Sequence, residues 1–384
     1  MYVKLIKNIK KLFTMGNAGT LEDVDILIEG KKIIKIGKNL EAEAAEIVDA
    51  KQKYVYPGFI DAHCHIGLFE ESIGFEGSDG NEITNPITPE LRAIDAINPM
   101  DISLHEALMG GVTTASTGPG SANVLGGQFT IIKLAGRRVD DMVVKAYSAM
   151  KCAFGENPKR CYRGKGPETR MSTAAKLREM LFKAKEYMDK LAISDEEKKP
   201  AYNMQYEALI PLLKREVPLK AHAHRADDIF TSIRIAKEFN LLLTLDHCTE
   251  GHLVADLLAK ENYPAIVGPS FGNRSKFELK EKSFETAKVL QEAGVKIAIN
   301  TDSPVIPLQH LNMCASYAVT AGMDAYEALK AITINPAEIL GIDKEVGSIE
   351  VGKDADIVIW NGDCLNIQNQ VEMTIVNGNI VYKK

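Results

Sequence analysis

Five apolar runs in the middle of this chain each lead to a residue able to bind a cation or move a proton. KYVYPGFI precedes His63, VVKAYSAM precedes Lys151, VPLKA precedes His222, NLLLTLD precedes His247 and VKIAINT precedes Asp302. A further run, YPAIVG at 263–268, falls between the last two. Amphipathic stretches such as DDIFTSIRIAKEF and SFETAKVLQEAG separate them, with apolar residues at three and four residue steps and Gly294 as a helix stop. Strands alternating with helices give a parallel α/β sheet. The 25 residues from His222 to His247 make one strand and helix repeat, and the 55 from His247 to Asp302 make two. That spacing fits a closed barrel, in which the strand ends gather at one mouth and residues distant in sequence meet.

Two stretches break the pattern. Between 118 and 150 the glycine-rich GPGSANVLGGQ offers no helix, so a distorted repeat is expected there. The segment at about 155–216 is too long for a simple crossover and reads as two helices, near 171–192 and 203–216, inserted over the active face. The chain ends have another style. DVDILIEGKKIIKIG places two β-rich runs about a turn, and MTIVNGNIVYKK carries the two-residue hairpin signal Asn377-Gly378. Neither end can enclose a core alone, so residues 1–56 and 340–384 are expected to meet in one small β domain beside a barrel spanning 57–339.

The 384 residues are 45% hydrophobic and 26% charged, which allows a large core and excludes a disordered chain. A formal net charge of −6 supplies no basic field for nucleic acid or an anionic membrane, and no apolar run approaches the roughly 20 residues of a membrane span. A small-molecule partner remains, with assembly into a homo-oligomer left open. The six cysteines form no CxxC pair and read as reduced thiols. Lysines interrupt MYVKLIKNIKKLF where a signal peptide needs an apolar centre, so a cytoplasmic location is expected.

His63 and His65 are two apart at a strand end and share a face, where two imidazoles can hold one divalent cation such as zinc. Taken alone, the pair reads more readily as a turn with histidines bonded to backbone. Recurrence changes the balance, since His222, His247 and Asp302 end other strands of the same series. Asp302, in TDSP, also fits a helix cap. A carboxylate there that touches cation and water can take a proton and pass it on. Lys151 reads either as a surface lysine or, if buried, as an amine whose lowered pKa lets it capture carbon dioxide. The resulting carboxylated lysine can bridge two cations. In AHAHRADDI, His222 and His224 share a face, so spacing leaves open which one is the ligand.

PGFIDAHCHIG, AHAHRADDI, LDHCTEGH, NTDSP and above all NPAEILGIDKEVGSIEVGKDADIV resemble the metal-dependent amidohydrolase superfamily. The likeness is to its branch related to imidazolonepropionase and to dipeptidases acting before proline, and it spans nearly the whole chain. It implies a distorted (β/α)8 TIM barrel, a small β-sandwich from both termini, and one or two bound cations. It further implies His63 and His65 as ligands of the first cation, with His222 and His247 as the histidines after the fifth and sixth strands. Asp302 matches the aspartate after the eighth strand, and Lys151 the carboxylated lysine of the dipeptidase-like members. The resemblance favours His222 over His224 as the ligand. His224 and Arg225 are then expected toward substrate, where a guanidinium can grip a carboxylate.

HAHRADDI departs from the residues usual in imidazolonepropionase, and His224 stands where the dipeptidases carry an aromatic residue. The reaction implied is hydrolysis of an amide or cyclic amide C–N bond by metal-activated water. Asp302 is expected to move the proton, and His247 to orient the substrate or stabilise the oxyanion. A mononuclear heterocycle deaminase and an inactive oligomeric scaffold are the alternatives. The scaffold predicts missing ligands, and here every expected position is filled.

Overall fold

Pro57 and Gly58 divide the first apolar run into two strands with different duties. Tyr54–Pro57 joins a sheet built by the chain ends, and Phe59–Cys64 opens the barrel. Two backbone features mark the break. A Cβ at Gly58 would stand 2.1 Å from Thr113 Oγ1, and Pro57 has no amide with which to continue a ladder. These strands come from a computed structural model that describes residues 3–43, 45–71 and 73–384.

Eight strands follow one another around the barrel in chain order. They are Phe59–Cys64, Val112–Thr117, Leu125–Lys133, Val143–Ala153, Leu219–Ala223, Leu243–His247, Ala265–Val267 and Ile297–Ile299. Pairing is parallel throughout, except that Leu125–Lys133 runs antiparallel to both neighbours. This is the distortion expected between 118 and 150. Residues 118–124 are too few for a helical crossover, so the chain turns straight back. A second short connection reverses it again, and Val143–Ala153 regains the common direction.

The last strand meets the first through side chains as well as backbone. The Asp61 carboxylate accepts Thr301 N at 2.8 Å and Thr301 Oγ1 at 2.7 Å, while Asn300 Nδ2 donates to His63 O at 3.2 Å. His65 N donates to Ser303 O at 2.7 Å. The segments that carry His63, His65 and Asp302 are thereby locked side by side.

Val3–Phe13, Thr20–Glu29, Lys32–Gly37, Glu46–Asp49 and Tyr54–Pro57 combine with Ile357–Trp360, Val371–Val376 and Asn379–Lys383 in a separate eight-stranded sheet. Both hairpins read from the sequence form, and Tyr54–Pro57 pairs with Ile357–Trp360 to join the two ends. Ile6, Ile26, Val55, Ile357 and Ile375 belong to its own core. Lys133 ties the barrel to this sheet by donating to Asp354 Oδ2 at 2.8 Å, to Asp356 Oδ1 at 3.1 Å and to Asn377 Oδ1. The two acids of DADIV hold that one buried ammonium.

The helices Arg170–Leu191 and Met204–Leu213 do not cover the active face as expected. They pack on each other, on the strand Val143–Ala153 and on the helix Ala226–Glu238, burying Leu177, Leu181, Leu209 and Leu212 in the main core. Tyr147 Oη donates to Ala208 O at 2.8 Å, and Arg178 pairs with Glu238 at 2.7 Å. A two-sided apolar face of this kind is satisfied on the barrel wall. From this long segment only Asn157 and Arg160 line the cavity at the mouth. Among the described residues no helix is long and apolar enough to cross a membrane.

Candidate metal centre and active site

The strand ends deliver the expected residues to one place. His63 lies on Phe59–Cys64 with His65 just beyond it, and Lys151 lies on Val143–Ala153. His222 lies on Leu219–Ala223, His247 closes Leu243–His247, and Asp302 follows Ile297–Ile299. Asp302 Oδ1 stands 3.3 Å from His63 Nε2 and 3.2 Å from His65 Nε2. The rings of His63 and His247 are 4.9 Å apart, and those of His222 and His247 are 4.5 Å apart. Two groups of three each offer ligand atoms within 4.8 Å of one another: His63, His247 and Asp302, and His222, His224 and His247. His247 belongs to both.

Backbone geometry contributes to this convergence. His247, at φ 74°, and Asp302, at φ 55°, occupy the left-handed region, which costs a residue with a side chain about 1–3 kcal/mol. Such strain persists where surrounding structure imposes it, and here it falls on two residues of the site. The rings are aimed by backbone acceptors. His65 Nδ1 lies 2.6 Å from Gly118 O, and His247 Nδ1 lies 2.7 Å from Gly268 O. A proton on each Nδ1 leaves Nε2 with the lone pair a cation needs. His247 Nε2 is buried and has no hydrogen-bond partner among the described residues. A cation at that nitrogen would satisfy it, so the donor set fits a divalent metal.

Burial holds His63, His222, His224 and His247 neutral. It drives the pKa of His63 down to about 3, with the Lys151 ammonium adding to the fall and Asp246 opposing it. Burial also lowers His222, His224 and His247 below the ordinary histidine value. Burial alone would raise Asp302, but His247, His63 and His65 bring it well below the usual carboxylate range. For His63 and His247, a neutral imidazole beside the ionised Asp302 carboxylate is the state that metal binding requires.

Lys151 is fully buried, which rules out the surface reading. Its Nζ lies 3.4 Å from His63 Nε2 and 3.8 Å from Asp246 Oδ2. Desolvation lowers its pKa to about 8 against the pull of Asp246. A neutral amine is therefore accessible near neutral pH.

Four residues of the site escaped the sequence reading. Asp246, fully buried, lies 2.8 Å from His63 Nδ1 and 3.4 Å from Lys220 Nζ. Lys220 Nζ also donates to Ala62 O at 2.9 Å. Phe129 presents its ring at 5.5 Å from Lys151 Nζ and 5.3 Å from Lys220 Nζ. Glu278, from the loop after Ala265–Val267, lies 3.8 Å from the Nε2 atoms of both His222 and His224. An acid and a lysine inside apolar runs signal a paired buried charge, and TLDH and PLKA carried that signal. Phe129 and Glu278 carried none.

Arg225 stands apart from the expectation. Its Nε and Nη2 are held by Asp227 Oδ1 and Oδ2 at 2.9 and 3.0 Å, and it does not line the mouth cavity. The bidentate grip foreseen for a substrate carboxylate is already taken by a neighbour two residues away. Asp228 likewise holds Arg170, at 3.0 Å. The cavity, of about 390 Å³, is lined by His65, His222, His224 and Asp302 and, among others, by Arg160 and Lys276.

The chain is similar to known proteins. Residues 54–381 match the model of the amidohydrolase family. The solved structure of an amidohydrolase from Thermotoga maritima MSB8 superposes with a TM-score of 0.95 at 42% identity, covering 99% of this chain and 100% of that one. Amidohydrolase tasK of Hapsidospora irregularis is 29% identical over 89% of this chain, which spans 38% of that relative's length. Imidazolonepropionase of Rhizobium meliloti (strain 1021) is 25% identical over 91% of this chain and 88% of its own. The chain belongs to the amidohydrolase family, hydrolases that act on carbon–nitrogen bonds.

Proposed function

We propose that this chain is a metal-dependent amidohydrolase that cleaves an amide or cyclic amide C–N bond of a small molecule. One observation carries the reading. His63, His65, His222, His247 and Asp302, drawn from four strand ends, converge beneath a cavity sized for a small substrate. Full-length similarity to an imidazolonepropionase favours a cyclic amide among such substrates.

A divalent cation, zinc by the chemistry of the donors, supplies Lewis-acid polarisation of a carbonyl and acidifies water when bound. His63, His65 and Asp302 would hold the first, and His222 and His247 the second, with Lys151 as a bridge when carboxylated. The protein's own groups do the rest. Asp302, ionised and open to the cavity, accepts the proton of the attacking water and returns it to the leaving nitrogen. His247, its Nδ1 proton held by Gly268 O, presents an Nε2 lone pair that suits a cation and not a donor to the substrate carbonyl, so its role in this reading is that of a ligand. Buried walls around the histidines exclude competing water.

The test pairs Asp302→Asn with metal analysis. Screening N-acyl amino acids, dipeptides and cyclic amides against zinc- and manganese-loaded protein identifies a substrate. Loss of about 10²–10⁴-fold in kcat, with metal content largely kept, is expected for the variant. Undiminished turnover by Asp302→Asn contradicts the role.

A further inference from the structure

His224 and Glu278 have no part in the scheme above, yet they sit where a ligand would. His222 and His224 leave the same strand two residues apart, so both project to one side. With His247 they form a nearly regular triangle, with ring centroids 4.7, 4.5 and 4.8 Å apart. One ligand atom from each lies within 4.8 Å of the other two. The Nδ1 atoms of His224 and His247 are engaged at 2.7 Å by Thr249 Oγ1 and Gly268 O, which leaves Nε2 as the free nitrogen of each ring.

Glu278 marks the open side of the triangle. Its Oε1 is 3.8 Å from His222 Nε2 and 3.8 Å from His224 Nε2, so both nitrogens approach one oxygen. The carboxylate is buried and fixed by Lys276 Nζ at 2.8 Å and by Glu156 N at 3.0 Å. A packed polar cluster is the plainer account of these contacts. Such a cluster needs donors between its members, and here the nearest donor to His222 Nε2 is Asn157 Nδ2 at a long 3.5 Å, while His247 Nε2 has none among the described residues. Buried ring nitrogens left in that state are costly, and a shared cation removes the cost.

We infer that His224 is a metal ligand, and that the second cation is held by His222, His224 and His247 with the Glu278 carboxylate as its anionic partner. Three imidazoles and one carboxylate oxygen suit zinc or cobalt(II). Lys151 makes its close contacts at His63 and Asp246, and with four donors of its own this cation is retained even when that lysine is not carboxylated and forms no bridge. The inference rests on the reading of the barrel mouth as a metal centre, and the two can fail separately.

The experiment strips the full-length chain with chelator, reloads it with zinc or cobalt(II), and reads stoichiometry by elemental analysis, affinity by calorimetry and cobalt geometry by visible absorption. Wild type should bind two ions per chain. Lys151→Met should keep one ion together with the absorption of a four-coordinate cobalt site. His224→Ala should lose that absorption and bind the ion at least 10-fold more weakly. Glu278→Gln, which keeps its size, should shift the band while retaining the ion. Circular dichroism of the stripped variants checks that each is folded. His224→Ala with wild-type stoichiometry, affinity and spectrum overturns the inference, as does loss of the same ion in Lys151→Met. A wild-type chain that binds no ion overturns the metal-dependent reading itself.

Discussion

Replacing Asp246 by Asn keeps the shape of a fully buried side chain and removes its charge. Asp246 lies 2.8 Å from His63 Nδ1, 3.4 Å from Lys220 Nζ and 3.8 Å from Lys151 Nζ. Without it Lys220 retains the Ala62 carbonyl but loses its anion. A buried ammonium in that position releases its proton, and the cost of the release caps the damage. From an ordinary lysine pKa near 10.4, each pH unit costs about 1.4 kcal/mol, giving about 4 kcal/mol at pH 7.5 and about 2 kcal/mol at pH 9. The sign follows from proton counting. The unfolded variant carries a proton that the folded variant lacks, so its deficit shrinks as pH rises toward 10. With about 2.1 cal/mol/K of unfolding entropy per residue, the 384-residue chain loses about 5 °C in Tm at pH 7.5. Thermal and urea unfolding of the metal-free protein, followed by circular dichroism at both pH values, measures this. Zinc affinity should also fall about 10–100-fold, because Asp246 orients the His63 ring. A deficit under about 1 kcal/mol at pH 7.5, or one that is equal at both pH values, refutes the argument.

Gly268→Ala tests the aim of His247. A Cβ there would stand 2.8 Å from Asn300 O at a φ of +128°, so the backbone that accepts His247 Nδ1 must shift. Weaker metal binding is expected, in a chain that still folds by circular dichroism. Arg225→Ala should leave KM within about twofold, because Asp227 occupies the guanidinium; a large rise in KM would return Arg225 to the substrate site. Lys151, with a pKa near 8, should show a carbamate signal in ¹³C spectra at fixed dissolved carbon dioxide that grows from pH 7 to pH 9 as the neutral amine accumulates. The same signal in Lys151→Met would place it elsewhere.

The residues that converge at the barrel mouth were legible as candidates because each is a local feature, an apolar run followed at once by a histidine or an acid. Strand order around a closed barrel then requires those ends to meet, whatever lies between them. The joining of the chain ends was legible for a similar reason, since two sets of hairpins without a core must share one. Other features depended on connection length and on partners from distant segments. Leu125–Lys133 runs backward because the links on either side are too short to cross over, and its Phe129 thereby comes to face both buried lysines. The pairing of Asp246 with His63 and Lys220, the capture of Arg225 by Asp227, and the meeting of Glu278 with His222 and His224 are choices among competing charges. A charged group settles on whichever partner best offsets its desolvation, and that partner is known only once the chain is folded.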